Sequence, residues 1–176
     1  MKSVLVDLND AAATLPNSYN SVENITPLET PLSSTINGAA LATPVFLSLY
    51  AENDLRLDKY FAETDEKGFR KNKKAGSNNY LCTFRVGEIY LTAAEAAARL
   101  GELSQARTRL LELMRKRYAP EAYEAKSVVV NAMDKEALVQ EILDERAREL
   151  AFEGHRWFDL RRSTRPRLEK VLDGTR

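Results

Sequence analysis

Five glutamates offer the paired carboxylates that acid–base chemistry needs. Glu88 and Glu95 lie seven residues apart, a spacing that sets both on one side of a helix. Glu145, Glu149 and Glu153 supply three more. A glycoside hydrolase needs two such groups facing each other across a sugar-sized cleft, and spacing alone shows no cleft. Arginines crowd the same stretches, at Arg85, Arg99, Arg146 and Arg156. A guanidinium neighbour depresses a carboxyl pKa and spoils a general acid. The sequence therefore assigns no catalytic residue, and it carries no Gly-rich phosphate loop, nucleophile elbow or HExxH pattern.

The elements that must position these groups centre on Asp144 to Arg162. Charge alternates there almost residue by residue, yet Leu150, Ala151, Phe152, Trp157, Phe158 and Leu160 are threaded through it. A helix over 134–153 puts Leu138, Ile142, Glu145, Glu149 and Phe152 along one side. Gly154 then turns the chain in a left-handed conformation. Carboxylates beside an apolar stripe are costly unless paired. Arg146, Arg148, Arg156 or Arg161 should meet them, making a half-buried ionic latch between helices, with Glu149 and Arg156 as one such pair. Asp144 and Arg148 stand four apart in the favourable order for a helical ion pair.

Upstream, Val86, Ile89, Tyr90, Ala93, Ala94, Ala97 and Leu100 repeat at helical spacing from Thr83 onward. Gly101 ends that helix, and Ser104 serves as N-cap for another carrying Ala106, Leu110, Leu113, Met114 and Arg117 on one side. The pair reads as one tetratricopeptide-like hairpin, too few for a free-standing solenoid. Its exposed flank needs a partner, and the 134–153 helix is available. Between them, Val128 to Val130 read as an edge strand or packed loop. After Gly154, His155 to Arg162 read as a short helix whose Trp157, Phe158 and Leu160 dock into the bundle.

Residues 1–43 are rich in Thr, Ser, Asn and Pro and read as an irregular extended segment, with the helical domain portion over 44–176. Thr43 and Pro44 open a helix that ends near Asn53. Asp54 to Asp58 form a short strand or a charge-held turn, and 63–79 a solvated hairpin or loop whose lysines and Arg70 stay on the surface. The chain of 176 residues suits one domain. Its 26 basic and 26 acidic residues cancel, so no global field recruits nucleic acid. One cysteine, Cys82, excludes an internal disulfide, and with one histidine, His155, no multi-ligand metal site or cofactor is indicated. No apolar run approaches the ~20 residues that cross a bilayer.

Two ordered motifs carry a resemblance. Glu145-Arg146, Glu149-Leu150, Phe152-Glu153-Gly154, Arg156-Trp157, Asp159-Leu160 and Arg161-Arg162 are similar to the ER-x-EL-x-FEG-x-RW-x-DLRR signature of the SusD/RagB family. Phe84-Arg85, Glu88, Tyr90-Leu91 and Ala94-Glu95-Ala96 resemble that family's FR-x-x-E-x-YL-x-x-AEA helix. Over roughly residues 44–165 the resemblance implies a mainly α, SusD-like fold in which Arg85, Glu88, Glu95, Glu145, Arg146, Glu149, Glu153, Gly154, Arg156, Trp157 and Asp159 are structural. It implies non-catalytic binding of a glycan or other nutrient oligomer by an outer-membrane lipoprotein. The partner would be a TonB-dependent, SusC-like transporter. It also implies an internal piece of a longer protein, because the lipoprotein signal and lipidated cysteine are missing. Family sugar sites lie in variable loops, so the ligand residues stay unassigned. Tyr19, Tyr50, Tyr60, Tyr118 and Tyr123 are the aromatics available for stacking, while Trp157, inside the signature, reads as core. The alternative is a soluble tetratricopeptide-like adaptor for a protein partner.

Overall fold

The computed structural model describes residues 41–74, 85–163 and 165. Leu41–Ala42 (β1) and Pro44–Leu47 (α1) come first, then Arg56–Tyr60 (α2), Phe61–Thr64 (β2) and Arg70–Asn72 (β3). Val86–Leu100 (α3), Leu103–Met114 (α4), Pro120–Ala132 (α5), Lys135–Glu149 (α6) and His155–Arg162 (α7) complete the chain. The architecture is mainly helical.

The antiparallel hairpin of α3 and α4 turns at Gly101, whose φ of 87° is left-handed. Ala93, Ala94, Ala97 and Ala98 of α3 are completely buried. Their small side chains let α4 and α6 pack closely on either flank of α3. Leu91, Leu110, Met114, Leu138 and Ile142 fill the shared core, each contributing about 1.5–3 kcal/mol by leaving water. Asp134 caps α6 by accepting from the Ala137 N–H at 2.9 Å.

A second, aromatic core lies under the small sheet, whose strand order is β1-β3-β2. Phe61 of β2 sits edge-to-face with Tyr50 at 5.5 Å and with Phe152 at 6.1 Å between ring centres. Phe152 itself holds a left-handed φ of 63°, a strained backbone for a bulky residue that the surrounding rings hold in place.

Several elements differ from the sequence reading, each for a local reason. Thr43 does cap α1, accepting from Phe46 N–H at 3.2 Å, but the helix stops at Leu47 rather than near Asn53. Residues 56–60 are helical, while Asp54 forms an isolated antiparallel bridge with Tyr118. Val128 to Val130 lie in α5, not in a strand or loop; Pro120 starts that helix at its first turn, and Val130 faces the core. Helix α4 begins at Leu103 with Glu102 as its cap residue, ahead of Ser104. Helix α6 ends at Glu149, so Gly154, with φ 84°, precedes α7 instead of closing α6. Thr83, Cys82, Tyr19 and the Asp173 to Arg176 end lie outside the described residues.

Candidate functional site

Two of the carboxylates singled out from sequence, Glu145 and Glu149, share one buried ionic network where α6 meets the short N-terminal elements. Glu149 is fully buried. It accepts a two-pronged pair from Arg117, Nε to Oε2 and Nη2 to Oε1, both at 2.8 Å. Arg56 donates to the same Oε2 at 3.0 Å and to Glu145 Oε1 at 2.6 Å. Asp54 grips the other side of that guanidinium, accepting from Nε at 2.9 Å and from Nη2 at 2.8 Å. Arg148 closes the ring on Glu145 at 2.8 Å and reaches Glu141 at 2.6 Å.

The backbone explains why two arginines so far from α6 arrive together. Leu55 N–H donates to Arg117 C=O at 2.9 Å, and Ala119 N–H to Asn53 C=O at 3.2 Å. This two-bond splice lays Arg56 beside Arg117, and both forks then match the carboxylates of α6.

At the end of α6 a second knot forms. Arg85 donates to the Glu149 carbonyl at 2.7 Å and to Glu153 Oε1 at 2.9 Å. Lys74 joins Glu153 and also donates to the carbonyls of Glu149, at 2.5 Å, and Ala151, at 3.3 Å. Two cations thus satisfy carbonyls left unpaired by the helix terminus. An outer set ties α7 down: Asp159 accepts from Arg146 at 3.2 Å and from Arg162 at 2.6 Å. Arg162 also reaches Glu95 of α3 at 2.5 Å, which holds Arg99 at 2.8 Å as well.

Burial alone would raise these carboxyls. For Glu149 the opposing charges of Arg117, Arg85 and Arg56 win and hold it well below its ordinary range. Arg56 and Arg148 likewise keep Glu145 low, and Arg162 and Arg99 keep Glu95 low. Burial, reinforced by Arg85, lowers Lys74 to about 8 despite Glu153. Carboxylates held ionised in this way accept hydrogen bonds and cannot deliver protons near neutral pH. The carboxylates of the network act as hydrogen-bond acceptors for its arginines.

Some sequence expectations fail here. Arg156 does not pair with Glu149; it donates to Leu143 C=O at 3.3 Å and lies 3.9 Å from Asp144, on the half-exposed side of α7. Arg148 turns to Glu145 and Glu141, leaving Asp144 to Gln140. Glu88 faces His155 at 3.6 Å, apart from the latch. Trp157 and Phe158 do not dock into the bundle but stand 55% and 65% exposed, because α7 turns its single buried carboxylate, Asp159, inward. Tyr50 and Tyr118 are buried and cannot serve as stacking platforms. Tyr60 lies under the Lys74 ammonium, 4.4 Å from ring centre to Nζ.

Sequence reasoning missed Asp54, Arg56, Lys74 and Arg117 as network members. It also missed Gly87, whose missing side chain makes room for Glu149. Asp54 and Arg56 were read only as part of a short strand or charge-held turn over 54–58. Among the described residues no group of His, Cys, Asp and Glu is placed to hold a metal. None of the described helices is long and apolar enough to cross a membrane.

Comparison with known families then decides the class: the model of the SusD family matches residues 39–170. The chain belongs to the SusD family. A search of curated proteins gives no match. SusD family proteins are, in general, nutrient- and glycan-binding proteins of the outer membrane rather than enzymes, and they work with SusC-like transporters. In this SusD family chain the ionic network joins the hairpin of α3 and α4, helix α6 and the small sheet into one scaffold.

Proposed function

We propose that this chain serves non-catalytic capture of a glycan or other nutrient oligomer at the bacterial outer-membrane surface, for delivery to a TonB-dependent porin. One observation carries the non-catalytic part: the candidate carboxylates Glu145, Glu149 and Glu95 are locked by arginines and held ionised. No pair of them is left to act as acid and base across a substrate. The soluble adaptor alternative has less support, since α6 packs on the α3 flank that a repeat groove would need.

Calorimetry against a panel of neutral and acidic oligosaccharides, with product analysis of the same mixtures, tests the reading. Saturable binding without cleavage, together with co-purification of a SusC-like transporter, is expected. Release of shortened sugars would overturn the non-catalytic assignment. Failure to bind any oligosaccharide or peptide nutrient would overturn the capture role.

A further inference from the structure

Residues 150–154 break a helix that their own sequence would continue. Leu150, Ala151 and Glu153 are good helix formers, and a new helix starts directly afterwards at His155. Leu150 N–H still donates to Arg146 C=O at 2.9 Å, in helical register. The chain then leaves that register. Glu153 N–H turns to Leu150 C=O at 3.2 Å, Phe152 takes a left-handed φ of 63° and Gly154 one of 84°. Glycine adopts that conformation freely, whereas Phe152 carries strain.

Tertiary contacts hold the break. In a continued helix the carbonyls of Glu149 and Ala151 would accept from the N–H groups of Glu153 and His155. Here the Glu149 carbonyl accepts from Arg85 at 2.7 Å and from Lys74 at 2.5 Å, and the Ala151 carbonyl from Lys74 at 3.3 Å. Side-chain cations stand in the places of backbone donors. Phe152 is meanwhile seated edge-to-face on Phe46 at 6.0 Å and on Phe61 at 6.1 Å. Lys74 follows β3, and the two rings belong to α1 and β2. Most of the restraint therefore comes from the small sheet and the helix beside it.

We propose that residues 150–154 form a two-state hinge. It is broken while Lys74, Arg85 and the aromatic socket of Phe152 are engaged, and helical, joining α6 to α7, when the small sheet lets go. The fused form relieves the strain at Phe152 and returns both carbonyls to backbone donors. It also parts Asp159 from Arg146 and Arg162 from Glu95, the pairs that seat α7. Those pairs make the broken form the resting one. The hinge couples the sheet to the direction of α7, whatever ligand the protein captures.

Spin labels at the exposed positions Glu136 and Arg161 read the two forms. They are carried by Glu136→Cys and Arg161→Cys, with Cys82→Ala because Cys82 is the only cysteine. One helix running from 136 to 161 would set them about 38 Å apart. In the broken form α7 lies beside α6, with Arg156 against Leu143 C=O and Asp159 against Arg146, so the distance is shorter.

The labelled protein with its hinge unaltered should give the short distance. Lys74→Met removes the ammonium and keeps an apolar stem. Gly154→Ala favours the helical form, and its added Cβ meets nothing within 4 Å. Either variant should shift part of the distribution to a second, narrow peak at the fused-helix distance, with helical circular dichroism undiminished. Absence of that peak from both variants, whether the distance stays short or broadens as helix is lost, would overturn the hinge.

Discussion

Arg56 donates to Glu149 Oε2 at 3.0 Å although 93 residues separate them in the chain. The contact joins a five-residue helix beside the small sheet to the last turn of α6. Neither side chain keeps more than 2% of its surface in water. A charge buried so completely is tolerable only while its partners remain, so the centre of this fold is mutually dependent.

Glu149→Gln should therefore cost about 3–5 kcal/mol, since Arg56, Arg85 and Arg117 all lose an anionic partner. Urea melts read the loss as a lower midpoint. A shift worth less than about 0.5 kcal/mol would mean that these arginines find other counter-charges.

Arg156→Ala should be nearly silent, within about 1 kcal/mol. Its side chain is 39% exposed and its nearest carboxylate lies 3.9 Å away. The same melts, run beside those for Glu149→Gln, separate a surface arginine from the buried network.

Gly87→Ala should destabilise the fold although alanine is the better helix former by about 1 kcal/mol. A Cβ at Gly87 would stand 2.8 Å from Glu149 Oε1 and 3.2 Å from its Cγ. Glu149 is pinned by its arginines and cannot swing aside. A net loss of about 1–3 kcal/mol follows, and a gain in melting temperature would show that the carboxylate yields.

Acid should unfold the protein through its glutamates. The carboxyls of Glu145 and Glu149 titrate below their ordinary range when folded. Their contribution is complete above the unfolded value of about 4.3 and is lost as pH falls through the lower folded values. Stability measured from pH 6 downward, with pH as the set variable, should drop below about pH 4. The Glu149→Gln variant should show a shallower slope, and an equal slope would exclude Glu149 as a source.

Lys74 adds a second rise of stability with pH, at the alkaline end. Its folded pKa of about 8 lies under the unfolded value, so the unfolded chain binds the extra proton between about 8 and 10.4. Stability should rise across that window by up to about 2 kcal/mol before the tyrosines begin to titrate. Lys74→Met should flatten the rise; an unchanged rise would assign it elsewhere.

How much was legible follows from where each signal lives. The hairpin of α3 and α4 was readable because alanines and leucines at helical spacing are local information, and Gly101 marks its turn. The burial of Glu145 and Glu149 was readable because they continue the apolar side begun by Leu138 and Ile142. Helix α5 was misread because three consecutive valines favour strands locally, while Pro120 and the core packing of Val130 favour the helix.

The sequence by itself determined the helical class, the family and which carboxylates must be neutralised, since those depend on periodicity and on the cost of burying charge. Only the tertiary structure decided which arginines neutralise them. Arg56 and Arg117 reach Glu149 through the splice between 53–55 and 117–119, a long-range pairing with no local mark in the chain. The same holds for Trp157. Its place in the signature suggested burial, but the orientation of α7 is set by Asp159 on Arg146 and Arg162, and that turns the aromatic ring outward.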